Sequence, residues 1–316
     1  MTLRRDDARN DATRGRRRIL SAFRTHWSWP LAAAVLPKRL RFRLLSWVAR
    51  SDRIAYPEES AAYAGATRFG FARLGADGAA DSDEAAWQRA WRVVQLVDHS
   101  DLFSALLRTP ASLTHGTEVF GTWPTHGPFL AVTYHWGGGL GALAHLAAGG
   151  RIAHFVSARF DRASLGFDPW RWRYAALRGR IIERASRGAI IYTGGASARI
   201  QEAFAKGHCV IGLCDAVIDS DRSRLEAPFG SLRLSIPTGL LRLAVTSRVP
   251  VVSFAAGFDR ATGRRNLWID DARVFDDAEE LARTLAQRLF ELVQRDPPAW
   301  HMWPHAQRLL KDACSG

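Results

Sequence analysis

Residues 127–141, GPFLAVTYHWGGGLG, constrain this chain more than any other stretch. Phe129 to Tyr134 make an apolar run rich in branched and aromatic residues, the composition of a strand buried on both faces. The run stops at His135 and Trp136, and Gly137, Gly138 and Gly139 follow. Leu140, Leu143, Leu146 and Ala147 then recur at helical spacing as far as Gly149 and Gly150, so the unit reads as strand, tight glycine turn, helix. Units of this kind build open α/β sheets, in which ligands gather at the carboxyl ends of the strands. His135 stands at such an end. It reads either as a titratable side chain placed for chemistry or as a histidine satisfying backbone groups in a turn.

The rhythm continues downstream. Strands are expected at 129–134, 152–156, 189–192, 209–213, 232–236, 249–254 and 266–269. Helices are expected at 140–148, 170–186, 198–206, 238–246 and 277–294. The last of these carries Leu281, Leu285, Leu289 and Leu292 on one face and is stopped by Pro297 and Pro298. Alternation of this sort predicts an α/β fold, a mainly parallel sheet flanked by helices. Upstream the pattern is helical over residues 51–113, with an acidic, Ala-rich loop or helix start at 77–86, then Trp87, Trp91, Val94 and Val97 at three- and four-residue spacing. The expected division is a basic tail over 1–16, a helical region over 17–113, and an α/β core over 114–316 that forms one domain with the preceding helices.

Charge is unevenly placed. The formal net is +13, and residues 1–50 hold thirteen Arg or Lys against Asp6, Asp7 and Asp11. A basic arm on a nearly balanced body suggests an anionic partner, whether nucleic acid, a membrane surface or an acidic carrier protein. Within the arm, Ile19, Leu20, Phe23, Trp27, Trp29 and Leu31 are interleaved with Arg17, Arg18 and Arg24. Leu40, Leu44, Trp47 and Val48 then share one helical face, while Arg39, Arg43 and Arg50 lie on another. Basic amphipathic helices with tryptophan read as an interfacial membrane element, or as core-packing helices with solvated basic faces. No nucleic-acid recognition motif accompanies the charge. The longest apolar segments are far short of the ~20 residues that span a bilayer, and no signal-peptide pattern is present. Cys209, Cys214 and Cys314 make neither a metal spacing nor a disulfide framework, and no cofactor or metal motif is found.

GGGLG after a strand matches a dinucleotide-binding turn poorly. The spacing is not GxGxxG, and the acidic ribose ligand would have to be Asp161, beyond the tip of the second strand. Four later landmarks point elsewhere: RASRG at 184–188; GGASARIQEAFAKGHCVIGLCD, ending in Asp215; APFGSLRLSIPTGLLRLAVTSRVPVVSF; and PPAWHMWPHAQR. In that order and spacing they resemble the bacterial lipid A lauroyl and myristoyl acyltransferases and their phosphatidylinositol mannoside relatives, within the lysophospholipid acyltransferase superfamily.

The resemblance implies an α/β sandwich and acyl transfer from an acyl-carrier-protein or CoA thioester to the hydroxyl or amine of an amphiphilic acceptor. It implies no cofactor, and it implies work at the cytoplasmic face of the inner membrane. By position, His135 matches the catalytic histidine of the HX4D/E motif, with Gly137, Gly138 and Gly139 as the turn beside the substrate. Arg184 and Gly188 match an R-x-x-x-G element near the acceptor's phosphate or sugar. Asp215 matches the acid closing the next block, Phe229 and Gly230 an FFG-like turn, and Thr238 the block that starts a helix. Trp300 and Trp303 match a terminal tryptophan cluster, for which core packing is the expectation. The motif acid itself is missing, because position 140 is Leu140. A catalytic histidine needs a partner for its second nitrogen. Asp215 is expected within hydrogen-bond reach of His135, with Asp219 and Glu202 behind it. The alternative is a degenerate relative that binds lipid or acyl carrier protein without turnover.

Overall fold

The computed structural model describes residues 19–50, 65, 84–159, 161, 163, 165, 168–217 and 224–312. The basic tail, Arg17 and Arg18, most of the acidic segment at 77–86, Asp219 and Cys314 lie outside them. A helical stretch that includes the π-helical turn Arg24–Ser28 leads into α1 (Trp29–Val35), α2 (Lys38–Ala49) and the long α3 (Glu84–Leu107). Then come β1 (Thr117–Phe120), β2 (Phe129–Thr133), α4 (Leu140–Ala148), β3 (Ala153–Ser157), α5 (Pro169–Ser186), β4 (Ile191–Tyr192), α6 (Ala196–Ala205) and β5 (Cys209–Leu213). The chain closes with β6 (Arg224–Phe229), β7 (Leu232–Pro237), α7 (Gly239–Thr246), β8 (Val251–Phe258), β9 (Arg265–Ile269), α8 (Ala278–Arg295), α9 (Ala306–Leu309) and β10 (Leu310–Asp312).

The fold is α/β. A seven-stranded sheet has the order β1-β9-β8-β2-β5-β3-β4. Strands β8, β2, β5, β3 and β4 run parallel, while β9 pairs antiparallel to β8 and carries β1 with it. Successive residues of β2 enter two cores. Leu130, Val132 and Tyr134 face one, and Phe129 and Ala131 face the other, as the two-residue period of a strand requires. Helices α4 and α5 cover the second face. The first carries α6, α7, α8 and a small antiparallel sheet of order β10-β7-β6.

Two differences from the sequence reading have physical reasons. The expected strand at 232–236 belongs to the small sheet, paired with β6 and β10 rather than with the main one. Strand β6 contains Arg224, Glu226 and Pro228 and sits at an edge, where a missing N–H is tolerated, so its composition hides it. On α2 the buried face is Arg41, Leu45, Val48 and Ala49. Leu40 and Trp47, expected on one apolar face with Val48, are 50% and 63% exposed.

Aspartate side chains cap two of the helices. Asp168 accepts from the N–H groups of Trp170 and Arg171 to start α5, and Asp277 does the same for Glu279 and Glu280 in α8. Helix α8 buries Leu281, Leu285, Leu289 and Leu292. Leu289→Ala, at a fully buried site, should cost about 2–5 kcal/mol, whereas Gln287→Ala on the exposed face should stay within about 0.5 kcal/mol. Urea unfolding followed by circular dichroism checks both values.

Candidate active site

Strands β2 and β5 are neighbours in register, with Thr133 opposite Leu213. Two residues beyond each, His135 and Asp215 therefore arrive side by side at the carboxyl edge of the sheet. Asp215 Oδ1 lies 3.0 Å from His135 Nδ1. The backbone N–H of His135 donates to both carboxylate oxygens, at 3.1 and 3.0 Å, and Trp300 Nε1 donates to Oδ2 at 2.9 Å. Asp215 is fully buried. Burial by itself would raise its pKa, but the His135 charge and the donors from His135 and Trp300 outweigh that and hold the carboxyl below its usual range.

An ionised carboxylate only accepts, so in the neutral ring the proton resides on Nδ1. His135 Nε2 is then a free base with no protein partner among the described residues. The side chain is 34% exposed and lines a cavity of about 580 Å³. The cavity wall is mostly apolar, built from Leu140, Leu143, Phe155, Ile182, Leu213 and Phe254. Polar groups interrupt it, among them a paired cluster. Arg178 pairs with the buried Asp98 at 2.8 Å and reaches the Tyr174 hydroxyl at 3.2 Å. Burial would raise Asp98, but Arg178 beside it holds the carboxyl low.

The glycine turn is fixed from several sides. Gly137 has φ +66°, and a Cβ there would lie 2.1 Å from the Ala256 carbonyl oxygen, so only glycine fits. Its N–H donates to the Ala299 carbonyl at 2.9 Å, and that of Gly138 to Ala256 at 2.9 Å. His301 holds the turn from the C-terminal side. Its backbone N–H donates to the His135 carbonyl at 2.7 Å, and its ring Nε2 lies 2.5 Å from the Gly137 carbonyl. Gln95 Nε2 donates to the other ring nitrogen at 2.6 Å, so the proton sits on Nε2 and points at Gly137. Burial pushes the His301 pKa down, which keeps this neutral form.

The structure brings His135, Asp215, Gly137 and Gly139 together at or beside this cavity, and Gly138 turns its back to it, lining a second one. Leu140 is part of the wall. The other candidates lie elsewhere. Arg184 is exposed in the last turn of α5 and does not line the cavity; Arg159, Arg178 and Arg180 do. Phe229 is fully buried, its ring 5.2 Å from Phe290 and 6.2 Å from Trp300, so it packs behind the residue that holds Asp215. Gly230 makes the β6–β7 turn at φ +61°, and Thr238 is buried just ahead of α7. Neither lines the cavity. Glu202 pairs with Lys206 on an exposed helix face. Trp303 packs against Trp300 at 5.0 Å. Gln95, Asp98, Arg178 and His301 carry no sequence signal, because each acts through a partner distant in the chain.

No protein-family model matches the chain, and no curated protein matches it. Among solved structures it is similar to the 1-acyl-sn-glycerophosphate acyltransferase of Thermotoga maritima, with a TM-score of 0.35 and 14% identity, over 83% of this chain and 98% of that one. At that score and identity the likeness carries no inference about activity.

The lowered Asp215 pKa fixes the sign of a pH effect. A carboxyl held low in the folded state contributes stability that is present above the ordinary carboxylate range and is lost as pH falls through the lowered value. The difference in urea midpoint between wild type and Asp215→Asn should therefore shrink as pH falls from about 7 through the carboxylate range. A difference that stays constant on acidification would show that the carboxylate's charge contributes nothing.

Proposed function

We propose that this protein is an acyltransferase that moves a fatty acyl group from an acyl-carrier-protein or CoA thioester to a hydroxyl or amine of an amphiphilic acceptor. The observation that carries the proposal is the His135–Asp215 pair, with its free Nε2, set in the wall of a largely apolar cavity. An apolar cavity of this size suits an alkyl chain, and a histidine with an ionised partner suits proton transfer. The acceptor oxygen attacks the thioester carbonyl while Nε2 takes its proton. The C–S bond then breaks, and the imidazolium returns the proton to the departing thiolate. Asp215 holds the tautomer and stabilises the imidazolium. Gly139 and Leu140 line the cavity where α4 begins without a side-chain cap, so the first-turn N–H groups are candidates for holding the oxyanion.

Leu140 raises the non-catalytic reading, since the motif acid is absent there. Asp215 on Nδ1 supplies the missing partner and favours turnover. In a thiol-release assay with acyl-CoA or acyl carrier protein and extracted membrane lipids, His135→Ala should abolish transfer. Asp215→Asn should lower kcat by about 10²–10⁴ with little change in donor KM, and the double variant should be no worse than His135→Ala. Folded His135→Ala protein that retains the wild-type rate would overturn the mechanism.

The same reading has the protein peripheral on the inner face of the inner membrane. Leu31 and Val35 on α1, Leu40 and Trp47 on α2, and Leu106 and Leu107 at the end of α3 are exposed, with Arg39 and Arg43 exposed beside them. No helix among the described residues is long and apolar enough to cross a membrane. An exposed apolar face rimmed by arginine suits an anionic bilayer surface. Trp47→Ser with Leu40→Ser should cut binding to anionic vesicles in flotation assays without changing the urea midpoint by more than about 0.5 kcal/mol equivalent. Unchanged flotation would remove this face from the docking surface.

A further inference from the structure

A second cavity, of about 360 Å³, lies on the other side of the glycine turn, between α2, the end of β8 and the start of β9. Gly138 lines it, whereas Gly137 and Gly139 line the first. The chemistry of its wall is different. Lys38, Arg39, Arg41, Arg264 and Arg265 line it with one carboxylate, Asp101. That carboxylate is taken, because Arg265 is ion-paired to it.

Arg41 is the unusual member. It is 8% exposed, on the face that α2 turns inward while Leu40 and Trp47 stay outside. Its Nη2 reaches only the Ala34 carbonyl, at 3.3 Å, and its Nε has no hydrogen-bond partner. It makes no ion pair among the described residues. A buried guanidinium lacking a carboxylate is destabilising unless an anion neutralises it. Lys38, which donates to the His115 carbonyl, has further donors free for the same anion. Partial desolvation together with Arg265 and Arg41 lowers the pKa of Lys38, and burial, Arg108 and Arg265 lower that of Arg41 against the pull of Asp101. These are the marks of a site short of negative charge.

We propose that the Lys38–Arg41–Arg265 cavity is a binding site for a phosphoryl group, with Arg41 as its buried anchor. A guanidinium fork matches phosphate oxygens, and a neighbouring ammonium adds a point charge. The group can belong to a soluble phosphate ester, such as the thioester donor's own phosphates, or to an acidic phospholipid headgroup. Gly138, in the turn after His135, lines this cavity while Gly137 and Gly139 line the other, so a molecule anchored here is held across that turn from the His135 cavity. The anion site itself does not depend on the acyl-transfer reading.

Binding of inorganic phosphate and of coenzyme A to the full chain, by calorimetry at chloride-matched ionic strength, tests the proposal. Saturable binding is expected, weakened about tenfold or more by Arg41→Gln and several-fold by Lys38→Gln. His135→Ala should bind phosphate as wild type does, so a failed acyl-transfer reading leaves this result standing. Arg242→Gln, on α7, exposed and away from both cavities and from the α1–α2 face, is the control for general charge loss. Arg41→Gln risks misfolding, and Lys38→Gln, at an exposed site, then carries the test. Tight coenzyme A binding that depends on Lys38 assigns the site to a soluble phosphate ester. Binding to phosphatidylglycerol vesicles that Lys38→Gln weakens well beyond Arg242→Gln assigns it to a headgroup. Two results would overturn the proposal: no saturable binding of any of these probes, or equal losses in Lys38→Gln and Arg242→Gln.

Discussion

The arrangement at the sheet edge depends on one buried carboxylate. Asp215 is fully enclosed and is met by the His135 backbone, the His135 ring and the Trp300 indole. Three separate parts of the chain, the ends of β2 and β5 and the segment after α8, are thereby tied at one point. A buried charge is tolerable only when its acceptor sites are filled by donors, and here each donor also orients something the site needs. The ring is turned so that Nε2 is free, and the tryptophan brings the C-terminal segment with it. That segment delivers His301, which holds the carbonyls of His135 and Gly137 and so shapes the glycine turn.

Around this point the glycine turn acts as a partition. On one side is a wide apolar cavity with the proposed base in its wall, and on the other a smaller basic cavity with an unneutralised arginine. Gly137 leaves no room for a side chain against Ala256, and α3, α4 and β8 continue the division, with Asp101, Ala142 and Ala256 on the basic side and Asp98, Leu143 and Phe254 on the apolar side. The exposed apolar face of α1 and α2 adjoins the basic side, since α2 carries both Trp47 outward and Arg41 inward.

Much of this was legible in the residues. Strand β5 falls at the expected 209–213 and helix α4 at 140–148, because short β-branched runs and helical leucine spacing are local signals. The contact between His135 and Asp215 was expected too, from two strands that end in titratable residues. Strands β1, β6 and β10 were not, since four residues of TEVF, a strand holding Arg, Glu and Pro, and a three-residue strand have no periodicity to detect. Phe229 reads as part of a turn motif but is a core ring. Its sequence neighbours report the turn, while its burial is set by Phe290 and Trp300, far along the chain.

The sequence by itself determined the repeating strand and helix units and the placement of a histidine and an aspartate at the ends of apolar runs. Each of these follows from residues within a few positions of one another. Tertiary structure alone decided that β2 and β5 are neighbours in register, that Trp300 and His301 return to the glycine turn, and that Gln95 fixes the tautomer of His301. It also decided that α2 buries an arginine and exposes a tryptophan. The physical reason is that helical periodicity states which residues share a face, whereas which face turns inward depends on the surfaces that other parts of the chain present to it.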